Sequence, residues 1–260
     1  MTGVILVATH KKSSFPVDSL YLPIQVGRDE VDFDLGIQTD NTGENISYKH
    51  RYYSDLSSVF WGWKNIETDF IGCCHYRRYF VSHTKKTGEK NYRFVLNRQE
   101  IESLLKVAPI IIPKKRRYYI ETIESHYKHT HTSEDFDLLR DVIKKSFPEY
   151  ADCFEMVARS RSAHLFNCYI MEKSYFDSFC SFLFSVLFEV ERKIDFSNRN
   201  EYDSRTCGYL AEFLLDTWLK KTGYKYIEKR LKVFGKKRLL KKGFAFLNAK
   251  FFGKKYDKSF

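Results

Sequence analysis

Residues 69–80 read DFIGCCHYRRYF and join two segments of opposite character. The first half is short and apolar, which predicts a buried β-strand. The second half combines His75, Tyr76, Arg77 and Arg78 where an apolar run usually ends in Gly, Asn or Asp. Ligands of open α/β sheets bind beyond the carboxyl ends of the strands, and guanidinium groups donate paired hydrogen bonds to phosphate. We therefore interpret this stretch as an anion site rather than as a strand that runs into an ordinary surface loop.

The segments on either side of this stretch alternate between strand and helix patterns. Residues 3–9 (GVILVAT) and 109–113 (PIIIP) predict buried strands, and residues 52–66 place apolar side chains on one face of a helix. After residue 115 the pattern is mainly helical. This alternation predicts an α/β fold with a helix-rich C-terminal half.

The positive charge of the chain is concentrated at its C-terminus. Residues 220–260 contain fifteen Lys and Arg against two acids, whereas residues 1–219 contain 29 bases and 31 acids. A near-neutral body argues against a nucleic-acid-binding protein. Because the last segment interleaves lysines with Phe and Leu, we predict a single domain over residues 1–222, followed by a basic amphipathic tail over residues 223–260.

Cysteine usage and hydropathy favour a cytoplasmic protein. The six cysteines form no C-x-x-C pair and most lie in apolar segments, which is typical of buried, reduced thiols. No run approaches the roughly 18 apolar residues of a spanning helix. The apolar stretch near the N-terminus lacks the basic region and cleavage site of a signal peptide.

The absence of three common motifs disfavours several enzyme classes. The chain has no G-x-S-x-G, Walker A or G-x-G-x-x-G motif, which disfavours α/β-hydrolases, P-loop proteins and simple dinucleotide-binding proteins. Candidate metal ligands are the three histidines within residues 126–131 and the D-x-D pairs at residues 32–34 and 135–137. The histidines lack a carboxylate at ligand spacing, and neither D-x-D pair follows a buried strand directly. A polar helix end and ordinary solvated faces are therefore the favoured interpretations.

Several ordered blocks of the chain resemble a bacterial family of glycosyltransferases that was once classed as a domain of unknown function. These blocks are LPIQVG, DNTGENIS, YYSDLSSVFWGWKNI, DFIGCCHYRRYF, IIIPKK, FNCYIMEKSYFDSFCSFLF and RTCGYLAEFLLDTWL. They span roughly residues 3–220, nearly the whole body. The family occurs in gene clusters for capsule, exopolysaccharide and O-antigen. Differences from its usual pattern at Cys73, Cys74, Cys168 and Tyr169 concern packing rather than chemistry.

The resemblance implies a fold and a reaction. The expected fold is a GT-A-like single domain with a mixed sheet flanked by helices. The expected activity is inverting transfer of a sugar, galactofuranose in this family, from a UDP-sugar donor to a growing cell-surface polysaccharide. That acceptor would be lipid-linked, and the enzyme would lie at the cytoplasmic face of the inner membrane.

The resemblance also implies where the donor binds. In GT-A enzymes a D-x-D motif follows the strand after the first long helix, and here that place holds His75-Tyr76-Arg77. We therefore expect fixed cations at the diphosphate and no required metal cofactor, although a divalent ion remains open. GT-A folds hold the nucleoside at the end of the first strand, which in this chain is formed by Thr9, His10 and Lys11.

A polar turn offers further donor-binding candidates. Asp40, Asn41 and Asn45 lie in a stretch that is turn-forming throughout. Their side chains either reach ribose or sugar hydroxyls or only shape the turn, and the sequence does not favour one of these roles over the other.

An inverting reaction needs a carboxylate base near the acceptor hydroxyl. Glu212 is the first candidate, because the neighbouring Leu210, Phe213 and Leu214 make its surroundings apolar and would raise its pKa. The alternatives are that Glu212 is solvated or pairs with Arg205. Asp203 is the second candidate for the base.

The composition of the tail predicts a binding partner and indicates an alternative function. Residues 230–260 carry enough interleaved Lys, Phe and Leu to bind an anionic membrane surface. If that binding were the whole function, the protein would be a non-catalytic basic scaffold of a polysaccharide assembly complex.

Overall fold

The computed structural model describes residues 1–82 and 92–234. The strands among these residues are β1 Gly3–Thr9, β2 Tyr21–Gln25, β3 Gln38–Thr39, β4 Phe70–His75, β5 Arg78–Phe80, β6 Ile110–Pro113, β7 Arg116–Arg117, β8 Ser162–Ala163, β9 Tyr169–Glu172, β10 Ile227–Lys229 and β11 Leu231–Val233. The helices are α1 His50–Tyr53, α2 Leu56–Asn65, α3 Arg98–Leu105, α4 Ile123–Thr130, α5 Ser133–Ser146, α6 Ala151–Arg159, α7 Lys173–Glu191, α8 Glu201–Ser204 and α9 Thr206–Thr222.

Nine of the strands form one mixed sheet in the order β10-β6-β9-β4-β1-β2-β3, with β5 attached to β4 and β11 attached to β5. β1 to β4 are parallel, and β10 is parallel to β6. β9 runs antiparallel between β4 and β6, so these two strands point the same way. The carboxyl ends of all the parallel strands therefore lie at one edge of the sheet, which we call the carboxyl edge.

Apolar side chains cover both faces of the central strands. On β1 and β4, Leu6 and Ile71 belong to the core beneath the large helices, whereas Ile5 and Phe70 belong to the core on the α3 side. A parallel strand that is buried on both faces reads as a continuous apolar run rather than an alternating one. This burial explains why FIGCC is apolar at every position.

The helix predicted over residues 52–66 is divided into two helices. Ser54 has a φ of 51°, which ends α1 and lets the chain start again as α2. α2 then packs closely on β1, since a Cβ at Gly62 would lie 2.2 Å from Leu6 Cδ1. The break therefore positions the start of α2 near the carboxyl edge without loosening the core.

The predicted α/β architecture is confirmed. The central mixed sheet is flanked by helices, and the C-terminal half contributes α4 to α9. Residues 3–9 form β1 as predicted, and a capping box formed by Asn97 and Glu100 starts α3. Within the described ranges, no helix is both long enough and apolar enough to span a bilayer.

The start of the predicted tail belongs to the sheet. β10 pairs with β6 and β11 pairs with β5, although the sequence assigned residues 223–260 to a separate tail. Glu228 also lies 3.0 Å from Nε2 of the buried His164, whose Nδ1 contacts Asp216 on α9. These long-range contacts hold residues 227–233 against the domain. Residues 235–260 lie outside the described residues.

Candidate active site

The candidate donor-binding residues meet at the carboxyl edge. Ala8 of β1 pairs with His75 of β4, and the backbone N–H of Tyr76 donates to the Ala8 carbonyl over 3.0 Å. This register places the ends of β1 and β4 side by side. The His10 ring lies 5.6 Å from the Tyr76 ring, and Lys11 Nζ lies 5.5 Å from the same ring centroid.

Residues 75–80 (HYRRYF) form a tight hairpin rather than a continued strand. His75 pairs with Arg78, which leaves Tyr76 and Arg77 at the turn between β4 and β5. The Arg77 backbone N–H donates to His75 Nδ1 over 3.2 Å, so the imidazole proton lies on Nε2. The hairpin therefore places Arg77 in the turn and Arg78 at the start of β5.

His75 is neutral, in contrast to the cationic role that the sequence suggested. Burial lowers its pKa to about 4, and the nearby Arg78 and Arg77 lower it as well, against an opposing effect of Asp55. A neutral imidazole at pH 7 orients the turn and offers an N–H donor. The positive charge of the hairpin therefore comes from the arginines.

The two arginines occupy different surroundings. Arg78 Cζ lies 4.6 Å from the Phe166 ring centroid, whereas Arg77 Cζ lies 5.5 Å from the Tyr76 ring centroid. Both side chains are half-buried. Over residues 1–82 and 92–234, neither arginine forms an ion pair with an acid. Two half-buried guanidinium groups with no acidic partner in this part of the chain form a favourable site for a bound anion.

Glu212 of α9 approaches this hairpin from the helical layer. Burial raises the pKa of Glu212, while Arg78, Arg116 and a hydrogen bond from the Phe166 backbone N–H partly offset the effect. Arg205, the other candidate partner, instead contacts Glu201, with 2.6 Å between Nη2 and Oε1. Glu212 is thus a carboxylate with raised basicity beside Arg78.

Asp203 lies in a different environment from Glu212. Its Oδ2 accepts a hydrogen bond from Asn200 Nδ2 over 2.7 Å, and its backbone N–H donates to Asn200 Oδ1 over 2.8 Å. These contacts belong to the start of α8. Asp203 keeps its role as the second candidate for the base, but its described contacts are those of a helix-capping group.

Asp55 is a site residue that the sequence analysis did not single out. It precedes α2, directly after the break at Ser54, and it acts electrostatically on the imidazoles of His10 and His75 and on Glu212. The pattern of residues 52–66 predicts one helix in which Asp55 is an ordinary polar position. The backbone break at Ser54, which the local sequence pattern does not predict, brings the Asp55 carboxylate to the carboxyl edge.

Backbone strain is concentrated around the same place. Among the described residues, the non-glycine positions with positive φ are Ser54, Phe166 and Asn167, at 51°, 87° and 46°. Ser54 precedes Asp55, and Phe166 contacts both Arg78 and Glu212. Asn167 Nδ2 donates to the Gly208 carbonyl of α9 over 3.0 Å, which holds this loop in place. Strained conformations cost about 1–3 kcal/mol each and cluster at functional sites.

Thr9, Asp40, Asn41 and Asn45 use their polar atoms in hydrogen bonds to nearby loop residues. Thr9 Oγ1 donates to the Lys11 carbonyl over 2.7 Å. Asp40 is buried and accepts hydrogen bonds from the Gly27 backbone N–H and from Ser47 Oγ over 2.9 and 2.6 Å. Asn41 and Asn45 likewise bond to neighbouring loop atoms. These contacts are those of the turn-forming alternative, and a direct role in donor binding stays a prediction.

The histidines near residue 130 and the second D-x-D pair have structural partners. Nδ1 of His126 and Nδ1 of His129 lie 3.0 and 2.7 Å from the carboxylate of the buried Glu121. Asp135 is buried and pairs with both terminal nitrogens of Arg199 over 2.6 Å. In the part of the chain that is described, no group of three or more His, Cys, Asp and Glu side chains is arranged to hold a metal ion.

The fold is that of a glycosyltransferase. The chain is similar to the apo structure of the bifunctional glycosyltransferase WbbM, with a TM-score of 0.84 and 25% sequence identity. The match covers 91% of this chain and 46% of that one, so this chain spans about half the length of that structure.

A family model described as a domain of unknown function, DUF4422, matches residues 4–223, and the chain belongs to this family. No curated protein matches the chain. At the level of a glycosyltransferase-like family, these findings agree with the resemblance carried by the sequence blocks.

Proposed function

We propose that the protein is a glycosyltransferase that moves a sugar from a nucleotide-sugar donor to a saccharide acceptor. The observation that carries the proposal is the half-buried pair Arg77 and Arg78, which forms no ion pair with an acid among the described residues. Arg78 of this pair is close enough to Glu212 to lower its pKa. The site occupies the carboxyl edge, where ligands of open α/β sheets bind. The similarity to a glycosyltransferase over 91% of the chain supports the same reaction class.

The arginines bind the donor diphosphate in this proposal. When the bond between the anomeric carbon and the diphosphate oxygen breaks, negative charge develops on the leaving group, and prepositioned donors stabilise it. Arg78 is held against Phe166 and Arg77 against Tyr76, so both guanidinium groups are oriented before the donor arrives. Thr9, His10 and Lys11, at the adjacent end of β1, line the nucleoside side of the site.

Glu212 is the general base in this proposal. It takes the proton of the acceptor hydroxyl while that oxygen attacks the anomeric carbon, and the nucleoside diphosphate leaves from the opposite face. The raised pKa of Glu212 increases its basicity, and Arg78 keeps the carboxylate charged enough to accept a proton. Asp203, whose described contacts are with Asn200, is the alternative base.

The reaction requires no divalent metal in this proposal. Fixed guanidinium groups neutralise a diphosphate directly, and a cation placed between Arg77 and Arg78 would be repelled by both. The support for this step is the position of the arginines at the end of β4, where related folds place a metal-binding D-x-D motif.

The substrates are assigned from the resemblance to capsule, exopolysaccharide and O-antigen enzymes. We propose UDP-galactofuranose as the donor and a lipid-linked saccharide of a growing cell-surface polysaccharide as the acceptor. The enzyme would act at the cytoplasmic face of the inner membrane, which residues 230–260 would contact through their lysines and phenylalanines.

Two measurements on the full chain test this function. Calorimetry should detect UDP binding, and incubation with UDP-galactofuranose and synthetic lipid-linked mono- and disaccharides should release UDP and lengthen an acceptor by one sugar. UDP-galactopyranose serves as the control for the ring form of the sugar. A chain that binds no UDP and transfers no sugar would instead be the non-catalytic scaffold that the basic tail allows.

A further inference from the structure

A second cationic group lies at the carboxyl edge, apart from the donor arginines. Lys114, Lys115, Arg116 and Arg117 follow β6 directly, and all four side chains are exposed. β7 pairs with β8, and the Tyr118 backbone N–H donates to the Arg161 carbonyl over 2.7 Å. Residues 114–120 together with residues 161–163 thus form a short antiparallel pair, which we call the basic hairpin.

The charge of the basic hairpin is not neutralised by the domain. Over residues 1–82 and 92–234, its five cations form no ion pair with any acid. The nearest acids in sequence are occupied elsewhere, since Glu121 contacts His126 and Glu124 pairs with Arg140. The cations are Lys114, Lys115, Arg116, Arg117 and Arg161. This surface is therefore locally cationic, although residues 1–219 have slightly more acids than bases.

The basic hairpin also exposes apolar groups. Tyr119 is 83% exposed and Ile120 is 59% exposed, and both follow the cations directly. An aromatic ring with a polar tip and an aliphatic side chain beside several cations fit the boundary between lipid headgroups and acyl chains. A soluble anion would satisfy the cations but would leave Tyr119 and Ile120 in water.

The end of β10 lies beside this surface. The Lys114 backbone N–H donates to the Lys229 carbonyl over 3.0 Å, at the end of β10. The Phe234 backbone N–H donates to the Arg77 carbonyl over 2.8 Å, so the chain enters the basic residues 235–260 from the same edge. Arg116 is also close enough to Glu212 to act on its charge.

We infer that the basic hairpin is a membrane-docking surface of the folded domain that binds the anionic headgroups of a lipid bilayer. It acts in addition to residues 230–260 and would orient the carboxyl edge, and with it the candidate active site, toward the membrane. Each lysine or arginine near an anionic surface contributes about 1 kcal/mol, which corresponds to roughly fivefold in partition. The inference concerns binding only and does not depend on the proposed catalytic function.

Vesicle co-sedimentation of the full chain tests this inference. The variant Lys114→Ala/Lys115→Ala/Arg117→Ala/Arg161→Ala removes four cations and keeps Arg116, which acts on Glu212. With vesicles of equal parts phosphatidylglycerol and phosphatidylcholine, it should partition at least tenfold less than the wild type at low salt. The matched control Lys106→Ala/Lys144→Ala/Lys145→Ala/Lys193→Ala removes four exposed cations elsewhere and should partition within about twofold of the wild type.

A second measurement reports on the hairpin itself. The emission of Tyr119→Trp minus that of the wild type, which removes the signal of the three native tryptophans, should shift to the blue with phosphatidylglycerol vesicles and should not shift with phosphatidylcholine alone. Equal partition of the two quadruple variants, or an unchanged emission with the anionic vesicles, would overturn the inference. Loss of affinity for a single-stranded oligonucleotide without loss for vesicles would assign the surface to nucleic acid and would overturn it as well.

Discussion

One edge of the sheet carries two arginine pairs that differ in burial. Arg77 and Arg78 are half-buried, whereas Arg116 and Arg117 are exposed. β4 ends in His75-Tyr76-Arg77-Arg78, and β6 leads into Lys114-Lys115-Arg116-Arg117, so a cationic stretch follows each apolar strand. The first turns back into a hairpin that β11, Phe166 and Glu212 enclose. The second pairs with β8 at the surface, and all four of its cations are exposed.

The difference in burial suits these chemically similar cations to different binding partners. A half-buried guanidinium beside a carboxylate has lost much of its hydration, so a single well-placed diphosphate replaces that hydration favourably. An exposed cation keeps its water and interacts through a longer-range and salt-sensitive field. The β4 end therefore fits one small anion, and the β6 end fits an extended anionic surface.

Glu212→Gln should lower the rate of sugar transfer by about 10²–10⁴, because the amide keeps the shape of the side chain and loses its basicity. UDP affinity should stay within a few-fold of the wild type, since the arginines remain. Steady-state kinetics and calorimetry on the same preparation separate the two effects. Asp203→Asn is the matched variant and should transfer sugar normally. If Asp203→Asn lost transfer while Glu212→Gln kept it, Asp203 would be the general base.

Arg78→Ala should weaken UDP binding by about 1.5–3 kcal/mol, which is roughly 10- to 150-fold in Kd. Arg117→Ala, at the exposed end of β6, should change the same constant by less than about twofold. Isothermal titration of both variants against the wild type measures the difference. Equal effects of the two substitutions would show that enclosure does not distinguish the two strand ends.

Acidification should destabilise the protein through His75. The folded state lowers the pKa of this imidazole from 6.5 to about 4, so below pH 6.5 the unfolded state binds a proton that the folded state does not. Above pH 6.5 the imidazole is neutral in both states and does not affect the free energy of unfolding. That free energy falls as the pH drops from 6.5 toward 4. The loss over this window is about 3 kcal/mol in the free energy of unfolding.

Urea unfolding at pH 7 and pH 4.5 measures this loss for the wild type and for His75→Asn. The variant should lose less stability between the two pH values, because its side chain does not titrate there. The same loss in both proteins would assign the acid sensitivity to other groups.

Chelation should have the smallest effect. In excess EDTA the transfer rate should change by less than about twofold, because Arg77 and Arg78 supply the positive charge that a metal would otherwise bring to the diphosphate. Activity that EDTA abolishes and manganese or magnesium restores would contradict this expectation. It would also show that the enclosed arginines do not substitute for a cation.

Local signals predicted those parts of the site that depend on neighbouring residues in sequence. Gly3–Thr9 and Phe70–His75 form strands because their continuous apolar runs suit burial on both faces. Leu210, Phe213 and Leu214 are buried, as expected for a raised pKa of Glu212. Residues 75–80 were recognisable as a candidate anion site because their cationic, aromatic composition is unusual for a turn.

Contacts between distant segments were not predictable in the same way. Asp55 reaches the site only because the backbone at Ser54 departs from the helix that the surrounding pattern predicts. Glu228 joins the sheet through His164, which is 64 residues away in the chain. The neutrality of His75 also depends on the burial that the packed neighbours create, and no property of residues 75–78 alone specifies it.

Local sequence patterns predicted the central strands β1, β4 and β6 and the helical C-terminal half, and they marked the ends of β4 and β6 as cationic. Periodicity and composition act within a few residues, so they carry this information locally. Tertiary packing, by contrast, leaves Arg77 and Arg78 half-buried and Lys114 to Arg117 exposed. That difference depends on which distant elements cover each strand end, because desolvation is set by the atoms packed around a charge rather than by its neighbours along the chain.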